Sequence, residues 1–113
     1  MSNSKDILTL HKIIERIDRA TAYCKDHRFD TFMSDTMLQE ACVFNILQIG
    51  ELAKNGLSEE LTAAHPEIPW KQIYGMRNRI VHGYEGVQLR IVWQTITESF
   101  PVLRAALSAL LES

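Results

Sequence analysis

The chain has 113 residues, of which 46% are hydrophobic, with 12 basic against 14 acidic side chains and a formal charge of -2. Those figures describe one globular domain, read as spanning residues 1–113, and leave no room for a second. The near-balance of charge gives no global field to hold a polyanion, which excludes a generic DNA-coating protein. The longest unbroken apolar run, Ala41 to Phe44, is far below the roughly 18 residues of a membrane span, so no membrane association is expected.

Few prolines and glycines punctuate the chain, and the stretches between them have helical spacing rather than strand alternation. The expectation is an all-α, up-and-down bundle of four main helices plus a short connecting helix, dimerising through helical faces. The opening MSNSKDILTL lacks the run of about 7 to 15 apolar residues of a secretory signal, so a cytoplasmic location is expected. Asn3 or Ser4 can cap a first helix, Asp6 suits its first turn, and Ile7, Leu10, Ile14 and Ile17 form its buried stripe. Tyr23 and Cys24 extend that stripe to about Arg28. Cys24 and Cys42 form no C-x-x-C pair and read as small buried hydrophobes in a reducing compartment.

A second helix should begin near Ser34 or Asp35 and end at Asn55-Gly56, where glycine can take the left-handed conformation. Its stripe is Leu38, Cys42, Ile49 and Leu52, yet Val43, Phe44 and Leu47 lie outside it. A helix apolar around so much of its circumference is expected to be covered on both sides, one of them by another subunit, the alternative being a central helix wholly enclosed by its own bundle. A short helix follows Ser58, whose hydroxyl can cap, and His65-Pro66 stops it. Pro69 suits the first position of the next helix, along which Trp70, Ile73, Arg77, Ile80 and Tyr84 recur at helical intervals until Gly83 and Gly86 turn the chain. The last helix is expected over about Val87 to Leu111, bent at Pro101 by the lost bond to the carbonyl of Thr97.

Several chemistries are excluded. A di-metal carboxylate bundle needs Glu-x-x-His pairs, and no Glu here has His three residues on. The scattered glycines form neither a phosphate loop nor a dinucleotide fingerprint, so no nucleotide cofactor is expected. The chemistry concentrates in Met76-Arg77-Asn78-Arg79-Ile80-Val81-His82-Gly83-Tyr84. Around it Lys71, Arg77, Arg79 and Arg90 stand against Glu85 alone, a positive segment in an acidic body.

Asn78 and His82 share a helix face, while Arg77 stands about 140° away from His82 around an ideal helix and must reach across or be met there. Gly83 can release the chain so that Tyr84 folds back beside the imidazole. These groups suit RNA, whose 2′-hydroxyl attacks the adjacent phosphorus once a base takes its proton. Histidine titrates near neutrality, a guanidinium binds two phosphate oxygens in one plane, and Asn orients either partner, so the step requires no metal. One histidine supplies one role, and a second His82 from a two-fold partner would supply the other. The structural alternative makes Arg77 and Arg79 surface cations and His82 a cap on the helix C-terminus.

The stretch R-N-R-I-V-H-G-Y, preceded by I-P-W-K-Q-I and followed by E-G-V and I-V-W, closely resembles the HEPN ribonuclease family and, within it, the HepT-like toxins, through the pattern R-x-x-x-x-H-x-Y. The resemblance covers nearly the whole chain, including Q-I-G-E-L-A at Gln48 to Ala53. It implies that Arg77 and His82 are catalytic, that Asn78 and Tyr84 support them, and that the cleft forms between two subunits. Lys71, Arg79 and Arg90 are the candidates for RNA contact. It also implies an MNT-type nucleotidyltransferase antitoxin as partner, with Tyr84 as a possible modification site because an added phosphate there would block RNA. The rival from another class is a non-catalytic interaction module that binds the nucleotidyltransferase with the same helix end. A purely structural dimer, with the Arg, Asn, His and Tyr cluster accidental, is the third reading.

Overall fold

A helix whose first N–H groups lack partners needs a side-chain acceptor in front of it. In the computed structural model, which describes residues 3–83 and 89–112 and only the backbone of 79–83, Asn3 is that acceptor. Its Oδ1 accepts from the backbone N–H of Lys5 at 2.8 Å and of Asp6 at 3.3 Å. Helix α1 then runs over Ser4–Cys24. Its buried face is Leu10, Ile13, Ile17, Ala20 and Cys24, rotated from the expected stripe, with Ile7 and Ile14 at the margin and Tyr23 exposed.

The helix stops before Arg28 because the chain reverses to bury Phe32 in a short helix that the sequence reading did not contain. This is α2, Phe29–Met33, too brief to show a period. Phe32 is fully buried and its ring lies 5.2 Å from that of Trp93. The last carbonyls of α2 are satisfied by the buried Gln39, whose Nε2 donates to Phe32 O at 2.9 Å and Met33 O at 3.1 Å.

Asp35 accepts from the backbone N–H of Leu38 at 3.0 Å and opens α3, Thr36–Gly56. This helix is central, packed by α1 and by α5, Trp70–Gly83. Leu38, Cys42, Val43, Ile46, Ile49 and Ala53 are buried. Val43, expected to face another subunit, is therefore covered by its own chain, while Phe44 is 50% exposed with the Arg16 guanidinium carbon 5.3 Å from its ring centroid. Cys24 and Cys42 are buried, with their Sγ atoms 3.5 Å apart and not bonded covalently. The hydrogen bond to Cys24 and burial together push the Cys42 thiol far up.

Gly56 ends α3 without entering the left-handed region, which no described residue occupies. Space is the reason for glycine here: a Cβ would stand 2.8 Å from Thr9 Cγ2, and Thr9 Oγ1 donates to Gly56 O at 3.1 Å. Beside this contact Asp6, nearly inaccessible to solvent, accepts from Ser58 N at 2.8 Å and Ser58 Oγ at 2.6 Å. The same Ser58 Oγ accepts from Leu61 N and caps α4, Glu59–Ala64. Pro69 precedes α5 by one residue rather than occupying its first position, and its carbonyl takes the N–H of Ile73.

The last helix is α6, Leu89–Gln94, followed by a π turn, Thr95–Ser99, and α7, Phe100–Glu112. The turn is the response to Pro101. Without an N–H to give Thr97, the ladder widens, and Phe100 N–H bonds instead to Thr95 O, five residues back. Val92, Ile96, Phe100, Leu103, Leu107 and Leu110 are the buried face of this last stretch, with Leu89 and Trp93 half-buried beside it. No helix among the described residues is long and apolar enough to cross a membrane.

Candidate active site

Helix α5 can lie close against α3 because residue 50 has no side chain. A Cβ at Gly50 would be 2.8 Å from Arg77 Cβ and 3.4 Å from Ile73 O. This close crossing sets the stem of Arg77 against α3 and brings its guanidinium to the next residue of that helix. Arg77 Nε lies 2.7 Å from Glu51 Oε1 in an ion pair, Arg77 Nη1 donates to Asn78 Oδ1 at 3.3 Å, and Glu51 Oε2 accepts from Asn55 Nδ2 at 2.5 Å. The four side chains form a continuous relay at the protein surface, with Arg77 34% and Glu51 43% exposed. The remaining Nη hydrogens of Arg77 have no partner among the described residues, and their planar spacing matches two oxygens of a phosphate.

Arg77 and Asn78 thus touch. Lys71 is exposed on the first turn of α5, on the same helix as Arg77. Arg90, on α6, is turned elsewhere: its guanidinium carbon lies 4.9 Å from the centroid of the Phe29 ring, held by a cation–π contact. Arg79 and His82 lie on the backbone of α5, His82 one helical turn beyond Asn78. The side chains of Arg79 and His82, and the whole of Tyr84, lie outside the described residues.

Sequence reasoning gave Gly50 and Glu51, within Gln48 to Ala53, no task of their own and so missed them as parts of the site. The signal was present: Glu51 is a carboxylate directly after glycine in a helix of largely apolar sequence. Adjacent to the relay, a cleft of about 430 Å³ between α3, α5 and the π turn is lined by Ile46, Ile49, Ile73, Met76, Phe100 and Leu103, with Glu67 and Glu98 also on its wall. Its apolar lining and carboxylates are unsuited to a phosphate. No group of three or more His, Cys, Asp and Glu side chains that could hold a metal ion occurs among the described residues.

A family profile described as "Ribonuclease HepT-like" matches residues 13–110. The chain is 35% identical over 103 residues to "Putative RNase TTE0752" of Caldanaerobacter subterraneus subsp. tengcongensis, covering 91% of each chain. It is 34% identical over 95 residues to "Probable ribonuclease HepT" of Thermococcus cleftensis, covering 84% of this chain and 86% of that one. A third relative, "Putative RNase MJ0127" of Methanocaldococcus jannaschii, is 30% identical over 92 residues, 81% of this chain and 75% of its own. No solved structure matches the chain. A match over most of the bundle, including both helices that build the Arg77 relay, shows that this chain belongs to the HepT-like ribonuclease family.

Proposed function

We propose that this chain is a metal-independent endoribonuclease toxin of the cytoplasm, cutting single-stranded RNA at a site composed by two copies. The observation that carries the reading is the Arg77 guanidinium, paired through Nε with Glu51 at the surface and bonded through Nη1 only to the neighbouring Asn78 among the described residues, in a chain of a ribonuclease family. His82 of one copy takes the proton of the 2′-hydroxyl, and the 2′-oxygen bonds to phosphorus. The bond to the 5′-oxygen breaks, and that oxygen receives a proton from His82 of the other copy, leaving a 2′,3′-cyclic phosphate and a 5′-hydroxyl. The two Arg77 side chains hold the charge on the phosphoryl oxygens, Asn78 orients Arg77, and Tyr84 completes the motif. Lys71, Arg79 and Arg90 guide the strand.

The second copy docks on the exposed side of α3. Met37 and Phe44 lie two turns apart on one face of that helix, 83% and 50% exposed, and they supply the apolar surface a partner would cover. The toxin is neutralised by an MNT-type nucleotidyltransferase antitoxin, with Tyr84 the acceptor of the transferred nucleotidyl group.

The test is cleavage of cellular RNA by the purified protein with and without excess EDTA, beside His82→Ala and Arg77→Ala. Wild-type cleavage persists in EDTA and both variants are inactive while retaining helical circular dichroism. Equal activity of His82→Ala would end the enzyme reading and leave the non-catalytic binding module. Protein co-expressed with the antitoxin gains nucleotide mass on the Tyr84 peptide, and no gain would remove that part of the proposal.

A further inference from the structure

An arginine that must present its fork to one phosphate has many rotamers to choose from, and freezing it costs entropy unless the protein has already done so. We infer that Glu51 is a positioning residue for RNA cleavage: it holds the Arg77 guanidinium by Nε so that the Nη edge is aimed outward before substrate arrives. The inference rests on the reading of Arg77 as the phosphate-binding cation.

Three features of the relay support it. The ion pair is made at Nε, at 2.7 Å, and Nη1 spends one hydrogen on Asn78, which leaves Nη2 and the second Nη1 hydrogen for bidentate contact with a phosphate. Glu51 is itself oriented, since Oε2 takes the Asn55 amide at 2.5 Å one turn along α3. The backbone beneath is fixed as well, because the missing side chain of Gly50 lets Arg77 Cβ sit against α3 at a distance no Cβ would allow. An ion pair this exposed adds little to stability, so the pair is better understood by what it orients. A carboxylate beside the cation also weakens its pull on a distant polyanion, which makes the arrangement one of geometry at the expense of long-range attraction.

The experiment compares wild type, Glu51→Ala, Glu51→Gln and Arg77→Ala, together with the Glu51→Ala/Arg77→Ala double variant, in cleavage of a single-stranded RNA oligonucleotide. Glu51→Ala lowers kcat by about ten- to a hundredfold, the scale of a misplaced catalytic group, with KM within about twofold. Glu51→Gln, which keeps an oxygen acceptor for Nε, recovers most of the rate, and the double variant is no slower than Arg77→Ala alone. In ¹⁵N relaxation the Arg77 Nε–H is rigid in wild type and in Glu51→Gln and mobile in Glu51→Ala, a readout that needs no turnover. A wild-type kcat in Glu51→Ala beside an inactive Arg77→Ala would overturn the role of Glu51 alone. Faster cleavage by both Glu51 variants would also overturn it, marking Glu51 as a brake on Arg77. Full activity of Arg77→Ala would instead remove the site reading and this role with it.

Discussion

Adding a single methyl group at Gly50 should damage catalysis far more than stability. The alanine Cβ would lie 2.8 Å from Arg77 Cβ and 3.4 Å from the carbonyl oxygen of Ile73, whereas carbon atoms pack at about 3.5 to 4.0 Å. Both obstructing atoms belong to or adjoin backbone, so no flexible side-chain tip can yield, and α3 and α5 must separate by about 0.7 Å or more to restore contact. Overpacking of this kind costs about 1 to 3 kcal/mol. Alanine recovers about 1 kcal/mol of helix propensity relative to glycine, so the net loss is about 0 to 2 kcal/mol. The displacement falls on the stem of Arg77, and a misplacement of about 1 Å at a reacting group can cost on the order of a hundredfold in rate. Urea denaturation measures the first quantity, and single-turnover cleavage of single-stranded RNA the second. A Gly50→Ala protein with unchanged stability and unchanged rate would refute both the tight crossing and its link to Arg77.

Gly75 gives the opposite expectation from the same helix: a Cβ there meets nothing within 4 Å, so Gly75→Ala should raise stability by about 0.5 to 1 kcal/mol in a urea titration. Asp6→Ala removes the charged acceptor of both Ser58 donors and should cost about 1.5 to 3 kcal/mol, read as a lower midpoint with the denaturant slope unchanged. Gln39→Ala removes the side-chain donor to Met33 O and one of the donors to Phe32 O, which keeps its backbone bond from Asp35 N, and should cost about 1 to 3 kcal/mol. Its near-ultraviolet circular dichroism should report loosened packing of Trp93. If two copies meet as proposed, Phe44→Lys, which places a charge on the exposed side of α3, should sediment as a monomer where the wild type sediments as a dimer, with cleavage lost in parallel. A monomer that still cuts RNA would show that one copy suffices.

The long helices were legible because each carries enough turns to show its period and a cap to mark its start. Asn3, Asp35 and Ser58 all accept the hydrogen bonds their positions imply. What was not legible depends on partners remote in sequence. Helix α2 is stabilised by Trp93 and Gln39 rather than by a pattern of its own. Gly56 suggested a left-handed turn, but its neighbour is Thr9, reached only when α1 and α3 are packed. Likewise Pro101 announced a disturbance, whereas its form, a π turn in which Phe100 N–H reaches Thr95 O, was not evident from the proline alone. At the site, the chemical identity of Arg77 was evident from its motif, whereas its anchoring by Glu51 required the crossing of two helices that the sequence does not place side by side.

The buried carboxylate of Asp6 has a consequence for how the molecule is made. Its two donors both come from Ser58, so the N-terminal helix, once it leaves the ribosome, carries a charged group that finds no shelter until more than half the polypeptide has been synthesised. Only then do the two Ser58 donors meet the carboxylate and tie the α3–α4 junction to the first turn of α1.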